Sequence, residues 1–105
     1  MGSALYSSSK AAIEAFARSF AIEHATKKIR ANVVSPAMVK TGIFTETEKA
    51  TSEEHMKQHE EQYPLGFGEP IDVANCIAFL LSDASRWITG TTIKMDGGLL
   101  LSSKK

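Results

Sequence analysis

Two short strand patterns, each preceded by an amphipathic helix pattern, constrain the fold of this 105-residue chain more than any other feature of its sequence. Apolar residues recur at three- and four-residue spacing over Ser7–Thr26 and again over Ile71–Ser82, which predicts two helices. The branched residues of Ile29–Ser35, ended by Pro36, and the alternation over Thr91–Met95 predict two strands. Strands joined through helices run parallel, so the pattern predicts an α/β fold. Because two parallel strands are too few for a stable free-standing sheet, we expect the chain to be part of a larger domain.

The segment between the two helix and strand pairs is polar. Thr45–Gln62 carries six Glu against Lys49 and Lys57, and its apolar stripe is narrow, so we expect a surface helix or a mobile flap. Pro64–Gly68 predicts a turn, and Pro70 suits the first turn of the next helix, where no amide donor is needed.

Composition and charge exclude several classes of function. The 12 Lys and Arg residues balance 12 Asp and Glu residues, so no net charge would recruit nucleic acid or an anionic membrane surface. No apolar run approaches the roughly 20 residues that span a bilayer, and the first residues lack a secretory pattern, which predicts a cytoplasmic location.

The single Cys76 cannot form an internal disulfide, and its apolar neighbours predict a buried thiol. His24, His55 and His59 lack further ligands at convincing spacing, so no metal site is predicted.

A tyrosine and a lysine at the start of the first helix form the most informative motif. Tyr6 and Lys10 are four residues apart and therefore project from one helix face, which sets an ammonium beside a phenol. A nearby positive charge favours the phenolate, so a tyrosine in this setting can exchange a proton with a carbonyl oxygen. The pair alone is a weak signal, since a solvated helix face gives the same spacing by chance.

The sequence around this pair follows a known pattern. In order and at fitting spacing come Tyr6-Ser7-Ser8-Ser9-Lys10-Ala11-Ala12, Ala21-Ile22-Glu23, Ile29-Arg30-Ala31-Asn32, Ser35-Pro36, Pro70-Ile71-Asp72-Val73-Ala74, Phe79-Leu80-Leu81-Ser82-Asp83, Ile88-Thr89-Gly90 and Asp96-Gly97-Gly98. Together these segments resemble the short-chain dehydrogenase/reductase family over essentially the whole chain, and most of all its 3-oxoacyl-[acyl-carrier-protein] reductase type. The resemblance implies an α/β fold that is the C-terminal portion of a Rossmann-like doubly wound parallel sheet. The sheet would be incomplete in this chain. Residues 1–105 would then belong to one domain whose N-terminal cofactor-binding half is absent.

The resemblance also implies a site. Tyr6 would be the general acid–base group, and Lys10 would hydrogen-bond the nicotinamide ribose of NAD or NADP in the complete protein. Hydride would pass between C4 of the nicotinamide and a small-molecule ketone, alcohol or 3-oxoacyl substrate. The implied cofactor-binding residues are Tyr6, Lys10, Pro36, Ala37, Val39 and Thr41. Thr41 could instead cap a helix N-terminus, and Ala37 stands where the family usually has glycine, which leaves the backbone angles of the loop open.

Several expectations concern the remaining residues and the chain as a whole. Asn32 is expected to bond backbone rather than to act in catalysis, and Trp87 and Phe67 to lie in a core or at a subunit contact. The glycine-rich phosphate turn and the catalytic serine of the family are not among these residues, so the isolated chain is expected to be inactive. The complete protein is expected to be a homo-oligomer. The alternative is a non-catalytic interaction module that binds a homologue or another partner through the helix Ser7–Thr26.

Overall fold

The computed structural model describes residues 2–39 and 46–101 of the chain. Helices and strands follow one another in the predicted order. The elements are α1 Ser3–His24, β1 Val33–Pro36, α2 Glu46–Glu60, α3 Pro70–Leu81 and β2 Thr92–Met95. Three short 3₁₀ turns lie at Ala25–Lys27, Asp83–Ser85 and Leu99–Leu101.

The strands β1 and β2 pair as a two-stranded parallel sheet. The Val33 N–H donates to the Thr91 carbonyl oxygen at 2.9 Å, and further along both strands the Ala37 N–H donates to the Met95 carbonyl oxygen at 2.9 Å. The residue numbers of donor and acceptor both increase from the first hydrogen bond to the second, so the two strands run parallel. The predicted α/β class with parallel strands is therefore confirmed.

The strand β1 begins later than the predicted strand Ile29–Ser35. Before Val33, the Ala31 N–H donates to the Thr89 hydroxyl at 3.1 Å, and the Ala31 carbonyl oxygen accepts the Gly90 N–H at 2.7 Å. Because this stretch pairs with an irregular loop, it lies outside the regular strand ladder.

The strand β1 also includes Pro36, although the sequence pattern predicted that the strand would end before this proline. The N–H groups of Val33 and Ala37 point at β2, so the alternation along the strand turns the Pro36 nitrogen away from β2. The missing proline donor therefore removes no hydrogen bond between the two strands.

The helices agree with the predictions within a few residues. Helix α1 starts earlier than the predicted Ser7–Thr26, and this brings Tyr6 into its first turn, where the Tyr6 N–H donates to the Gly2 carbonyl oxygen at 3.1 Å. Helix α3 differs from its prediction by one residue at each end and begins at its proline. Of the two alternatives for Thr45–Gln62, the chain adopts the helix over Glu46–Glu60.

The described residues divide into two compact units. The first unit holds the residues up to Ser35 together with Cys76–Ile93. The second unit holds those from Pro36 to Asn75 and those from Lys94 onward.

An arginine organises the first unit. The Arg30 guanidinium donates to the carbonyl oxygens of Leu80 at 2.9 Å, Ser82 at 3.2 Å and Ile88 at 3.1 Å. The last carbonyls of a helix have no partner within the helix, so a cation at this position supplies both hydrogen bonds and a favourable charge. Arg30 thus ties the segment before β1 to the end of α3.

The apolar face predicted for α1 is only partly covered in the first unit. Ala21 is 2% exposed, and a methyl group built on Gly90 would lie 3.6 Å from its Cβ. Ile13 and Phe16, by contrast, are 59% and 69% exposed. Trp87 is 90% exposed and so does not lie in the core of this unit.

Three rings form the centre of the second unit. Tyr63 and Phe67 are buried, and their ring centroids lie 5.1 Å apart in an edge-to-face arrangement. His59 near the end of α2 packs on both rings, at centroid distances of 5.5 Å and 5.6 Å. Phe67 therefore lies in a core, one of the two places expected for it.

Two further expectations bear on membranes and on the thiol. Among the described residues, no helix has the length and apolar character required to cross a membrane. Cys76, expected to be buried, is half-buried on α3.

Candidate functional site

The predicted catalytic pair lies on the first turns of α1. Tyr6 and Lys10 are about one helical turn apart, so both side chains project from one face. Tyr6 is 57% exposed and Lys10 is half-buried. Within residues 2–39 and 46–101, neither the phenol nor the ammonium makes a hydrogen bond or an ion pair. Both groups are therefore available to a ligand, as far as the described residues are concerned.

Contacts at the far end of α1 hold the helix that carries this pair. Ala21 is buried, and the His24 ring stacks on Phe20 with ring centroids 4.1 Å apart. Lys28 adopts a left-handed conformation with φ of 63°, and its N–H donates to the Ala25 carbonyl oxygen at 2.9 Å. This geometry terminates the helical segment, which fixes the direction in which the chain leaves for β1.

The loop predicted to lie over the cofactor is held by hydrogen bonds on both sides. The Ala37 N–H donates to the Met95 carbonyl oxygen at 2.9 Å. The Met38 carbonyl oxygen accepts the Gly68 N–H at 3.0 Å, and Val39 forms an isolated parallel bridge with Gly68. The backbone of this loop is therefore fixed by β2 and by the turn before α3.

The other loop residues predicted to bind the cofactor are Pro36, Ala37 and Thr41. Pro36 is exposed at the end of β1, and Thr41 lies outside the described residues. Lys28 is the one non-glycine with positive φ among residues 2–39 and 46–101, so Ala37 does not need the conformational freedom of the usual glycine.

A cleft of about 580 Å³ opens beside Val39 in the second unit. Its charged lining residues are Asp72, Lys94 and Asp96. Asp72 and Asp96 use carboxylate oxygens to accept backbone N–H groups at 2.8 Å and 3.0 Å. Since small-molecule sites have volumes of about 300–1,000 Å³, the cleft has room for part of a ligand next to Val39.

The structure places the predicted site residues in two groups. Tyr6 and Lys10 belong to the first unit, whereas Pro36, Ala37 and Val39 belong to the second. Each group is organised locally: the first by the helix α1, the second by backbone pairing with its own unit.

Asn32 serves structure, as expected. Its Nδ2 donates to the Ile88 carbonyl oxygen at 3.2 Å, and its Oδ1 accepts the Thr91 N–H at 3.1 Å. With both ends of its amide bonded to backbone, the side chain holds the loop before β2 rather than a substrate. In the part of the chain that the structure describes, no three His, Cys, Asp or Glu side chains gather into a metal-binding cluster.

Glu60 has a structural role that its sequence context does not predict. Its Oε2 accepts the Phe67 N–H at 3.1 Å, so a side chain of α2 holds the turn that leads to Gly68. The segment Thr45–Gln62 contains six Glu residues, and nothing in the sequence distinguishes Glu60 from the other five. The contact depends on the shape of the intervening turn, which the residue pattern does not reveal.

Sequence similarity to known proteins extends over nearly the whole chain. The family model described as Enoyl-(Acyl carrier protein) reductase matches residues 1–100. The 3-oxoacyl-[acyl-carrier-protein] reductase of Homo sapiens is 46% identical over 101 residues, which cover 95% of this chain and 39% of that protein.

Solved structures resemble the described fold as well. An oxidoreductase of the short chain dehydrogenase/reductase family from Burkholderia thailandensis superposes with a TM-score of 0.82 at 43% identity, covering 94% of this chain and 39% of that one. A 4-hydroxyisoleucine dehydrogenase complexed with NADH gives a TM-score of 0.81 at 33% identity, covering 95% of this chain and 41% of that one. These structures confirm the predicted fold class, part of a Rossmann-like sheet. The chain spans about two fifths of the length of the relatives it matches.

Proposed function

The chain belongs to the short-chain dehydrogenase/reductase family, and from this membership we propose that it supplies the acid–base centre of an NAD(P)-dependent oxidoreductase. Within the family it resembles the 3-oxoacyl-[acyl-carrier-protein] reductases. The reaction proposed for the complete protein is hydride transfer between a nicotinamide and a small ketone, alcohol or 3-oxoacyl substrate. The observation that carries the proposal is the pair Tyr6 and Lys10, one turn apart on α1 and without partners among the described residues.

Tyr6 is the proposed proton-transfer group. In carbonyl reduction its hydroxyl donates a proton to the substrate oxygen, and in alcohol oxidation its phenolate takes that proton back. The Lys10 ammonium, one helical turn away, has donors left for a ribose hydroxyl. A bound nicotinamide supplies the hydride in one direction and accepts it in the other.

The donor set of the chain fits part of such a cofactor. The Tyr6 hydroxyl and the Lys10 ammonium are unpaired polar groups within the described residues, and they complement the hydroxyls of a ribose. The fixed backbone next to Val39 and the cleft beside it suit a flat amide-bearing ring. The loop residues proposed to bind NAD or NADP are Pro36, Ala37, Val39 and Thr41.

The isolated chain is expected to be inactive. Its 105 residues contain no G-x-x-x-G-x-G turn for a pyrophosphate, and β1 and β2 are the two strands of the described part. Holding a hydride donor against the substrate carbon contributes about 7 kcal/mol or more to catalysis in favourable cases, and half a cofactor site cannot do this. Residues 1–105 are accordingly assigned to the C-terminal part of a single Rossmann-like domain. The complete protein is proposed to be a cytoplasmic homo-oligomer.

The test compares the isolated chain, the chain joined to an upstream half from a family member, and the Tyr6→Phe variant of the joined protein. We expect no turnover from the isolated chain, turnover from the joined protein, and about a hundredfold loss of turnover or more in Tyr6→Phe. Nicotinamide affinity should fall far less in this variant, because Lys10 and the loop residues keep their contacts. Ser8→Ala, on the same exposed stretch of α1, is the matched control and keeps its activity. Nicotinamide absorbance with a panel of ketones measures turnover. Turnover by the isolated chain would refute the incompleteness, and full activity in Tyr6→Phe would remove Tyr6 from the mechanism.

A second candidate function is non-catalytic binding of a homologue or another protein through α1. The exposure of its apolar side chains favours this alternative, since Phe16 and Ile22 are 69% and 80% exposed. Size-exclusion chromatography with a full-length relative separates the two functions. An interaction module loses its complex in Phe16→Glu and keeps it in Tyr6→Phe. An enzyme segment instead loses turnover of the joined protein in Tyr6→Phe.

A further inference from the structure

The end of α2 is connected to the following turn through both the backbone and the side chain of one residue. The Glu60 carbonyl oxygen accepts the Tyr63 N–H at 2.9 Å, and the Glu60 Oε2 accepts the Phe67 N–H at 3.1 Å. The side-chain bond spans seven residues and is partly buried. A charged acceptor makes such a bond stronger than one between neutral groups. Glu60 therefore fixes the turn at its start and near its end.

The backbone at Gly66 is shaped for this carboxylate. Gly66 has φ of +76°, and a Cβ built there would lie 3.1 Å from the Glu60 Oε2. Any other residue at this position would meet both a strained backbone and a crowded carboxylate. The turn and the Glu60 side chain thus fit each other closely.

The same turn holds the loop after β1. Immediately after Phe67, the Gly68 N–H donates to the Met38 carbonyl oxygen at 3.0 Å, and Gly68 forms the parallel bridge with Val39. On its other side, the Leu65 N–H donates to the Gly97 carbonyl oxygen at 2.9 Å. The Glu60 carboxylate is therefore linked to the backbone of Met38 by two hydrogen bonds, which the peptide bond between Phe67 and Gly68 joins.

We propose that Glu60 is a positioning residue whose carboxylate, through Phe67 and Gly68, sets the backbone position of Val39 for the nicotinamide. The mechanical part of this inference, that Glu60 fixes the backbone at Gly68 and Val39, rests on the hydrogen bonds of the second unit. The cofactor part rests on the proposed function, which gives the Val39 backbone to the nicotinamide. In this arrangement the carboxylate acts on the loop after β1 through the turn that carries Phe67 and Gly68.

Hydrogen exchange tests the mechanical part on the 105-residue chain. The Gly68 amide is the informative reporter, because its partner is Met38 and a purely local loss at Phe67 would leave it unchanged. We expect Gly68 to exchange about tenfold faster or more in Glu60→Ala and in Glu60→Asp, which is too short to reach Phe67. Glu60→Gln keeps an acceptor at full length and should stay near the wild-type rate. Glu61→Ala, an exposed neighbour, is the matched control.

The outcomes separate the two parts. Wild-type exchange at Gly68 in both Glu60→Ala and Glu60→Asp would overturn the proposal. If Glu60→Ala unfolds the chain, the comparison of Glu60→Asp with Glu60→Gln decides by the same criterion.

In the protein joined to an upstream half, Glu60→Ala should weaken nicotinamide binding about tenfold, and Glu60→Gln should bind nicotinamide as the unsubstituted protein does. Faster exchange with unchanged binding would overturn the role at the cofactor. Absence of binding even in the unsubstituted joined protein would refute the proposed function, and the exchange result would still stand.

Discussion

Arg30 and Ser85 donate hydrogen bonds to the same two carbonyl oxygens. We therefore expect the loss of unfolding free energy in the double variant to exceed the sum of the losses in the two single variants. The Leu80 carbonyl oxygen accepts from the Arg30 guanidinium at 2.9 Å and from the Ser85 hydroxyl at 2.9 Å. The Ser82 carbonyl oxygen likewise accepts from both, at 3.2 Å and 3.1 Å. Removing either donor alone therefore leaves each acceptor with a partner.

The expected magnitudes follow from this sharing. Arg30→Ala removes three hydrogen bonds, each with a net contribution of about 1 kcal/mol, and so lowers the free energy of unfolding by about 3 kcal/mol. Ser85→Ala removes one hydroxyl proton that the Leu80 and Ser82 carbonyl oxygens share, and lowers it by about 1 kcal/mol. In the double variant the Leu80 carbonyl, in a residue only 8% exposed, loses both side-chain donors. An orphaned buried acceptor costs about 1–3 kcal/mol, so the double variant should lose more than the sum of the single losses by about that amount.

Urea denaturation followed by far-ultraviolet circular dichroism measures the four free energies of unfolding. The protein joined to an upstream half is the appropriate host, because we expect its additional strands to keep the double variant folded. Arg30→Lys offers a milder form of the cycle, since one ammonium donor can still reach a carbonyl. A double variant whose loss equals the sum of the single losses within about 0.5 kcal/mol would show that the two donors act independently, contrary to this reasoning.

Two other substitutions test the fold. Gly97→Ala should lower the free energy of unfolding by about 2 kcal/mol or more, because its φ is +58° and the new Cβ would lie 2.9 Å from the Gly66 carbonyl oxygen. Gly2→Ala, with nothing within 4 Å, is the matched control, and equal melting temperatures for the two would contradict the prediction. Asn32→Asp keeps the acceptor for the Thr91 N–H but places a carboxylate oxygen against the Ile88 carbonyl oxygen, so in denaturant titrations it should cost at least as much as Asn32→Ala. A loss clearly smaller than that of Asn32→Ala would show that the Nδ2 donor to Ile88 contributes little.

The local pattern predicted the elements well, because helices and strands obey short-range periodicity. The helix around Tyr6 and Lys10, the proline-initiated α3 and the parallel order of the strands all follow from the spacing of apolar residues and from turn residues. The backbone role of Asn32 was also predictable, since an amide next to a strand entry can bond backbone on both sides. The helices depend on residues close together in the sequence. The expectation for Asn32 came from its motif, and only the structure shows its partners, which lie 56 and 59 residues away.

Strand boundaries were less predictable, because they depend on the partner strand. Ile29–Arg30 has the branched and long side chains of a strand, yet the ladder starts at Val33, where the partner loop becomes regular. Pro36 was expected to end β1, but the partner's position turned its nitrogen away from the ladder. A single strand pattern contains no information about which side its neighbour occupies.

By itself, the sequence determined the α/β class, the order of the elements, the pairing of Tyr6 with Lys10 on one helix face and the family to which the chain belongs. Only the tertiary structure decided which carbonyls Arg30 bonds, and that Glu60 rather than another Glu of α2 holds Phe67. The physical reason is the range of the interactions. Helix faces follow from a repeat of 3.6 residues, whereas a hydrogen bond between residues 50 apart exists only after the backbone between them has taken its final path.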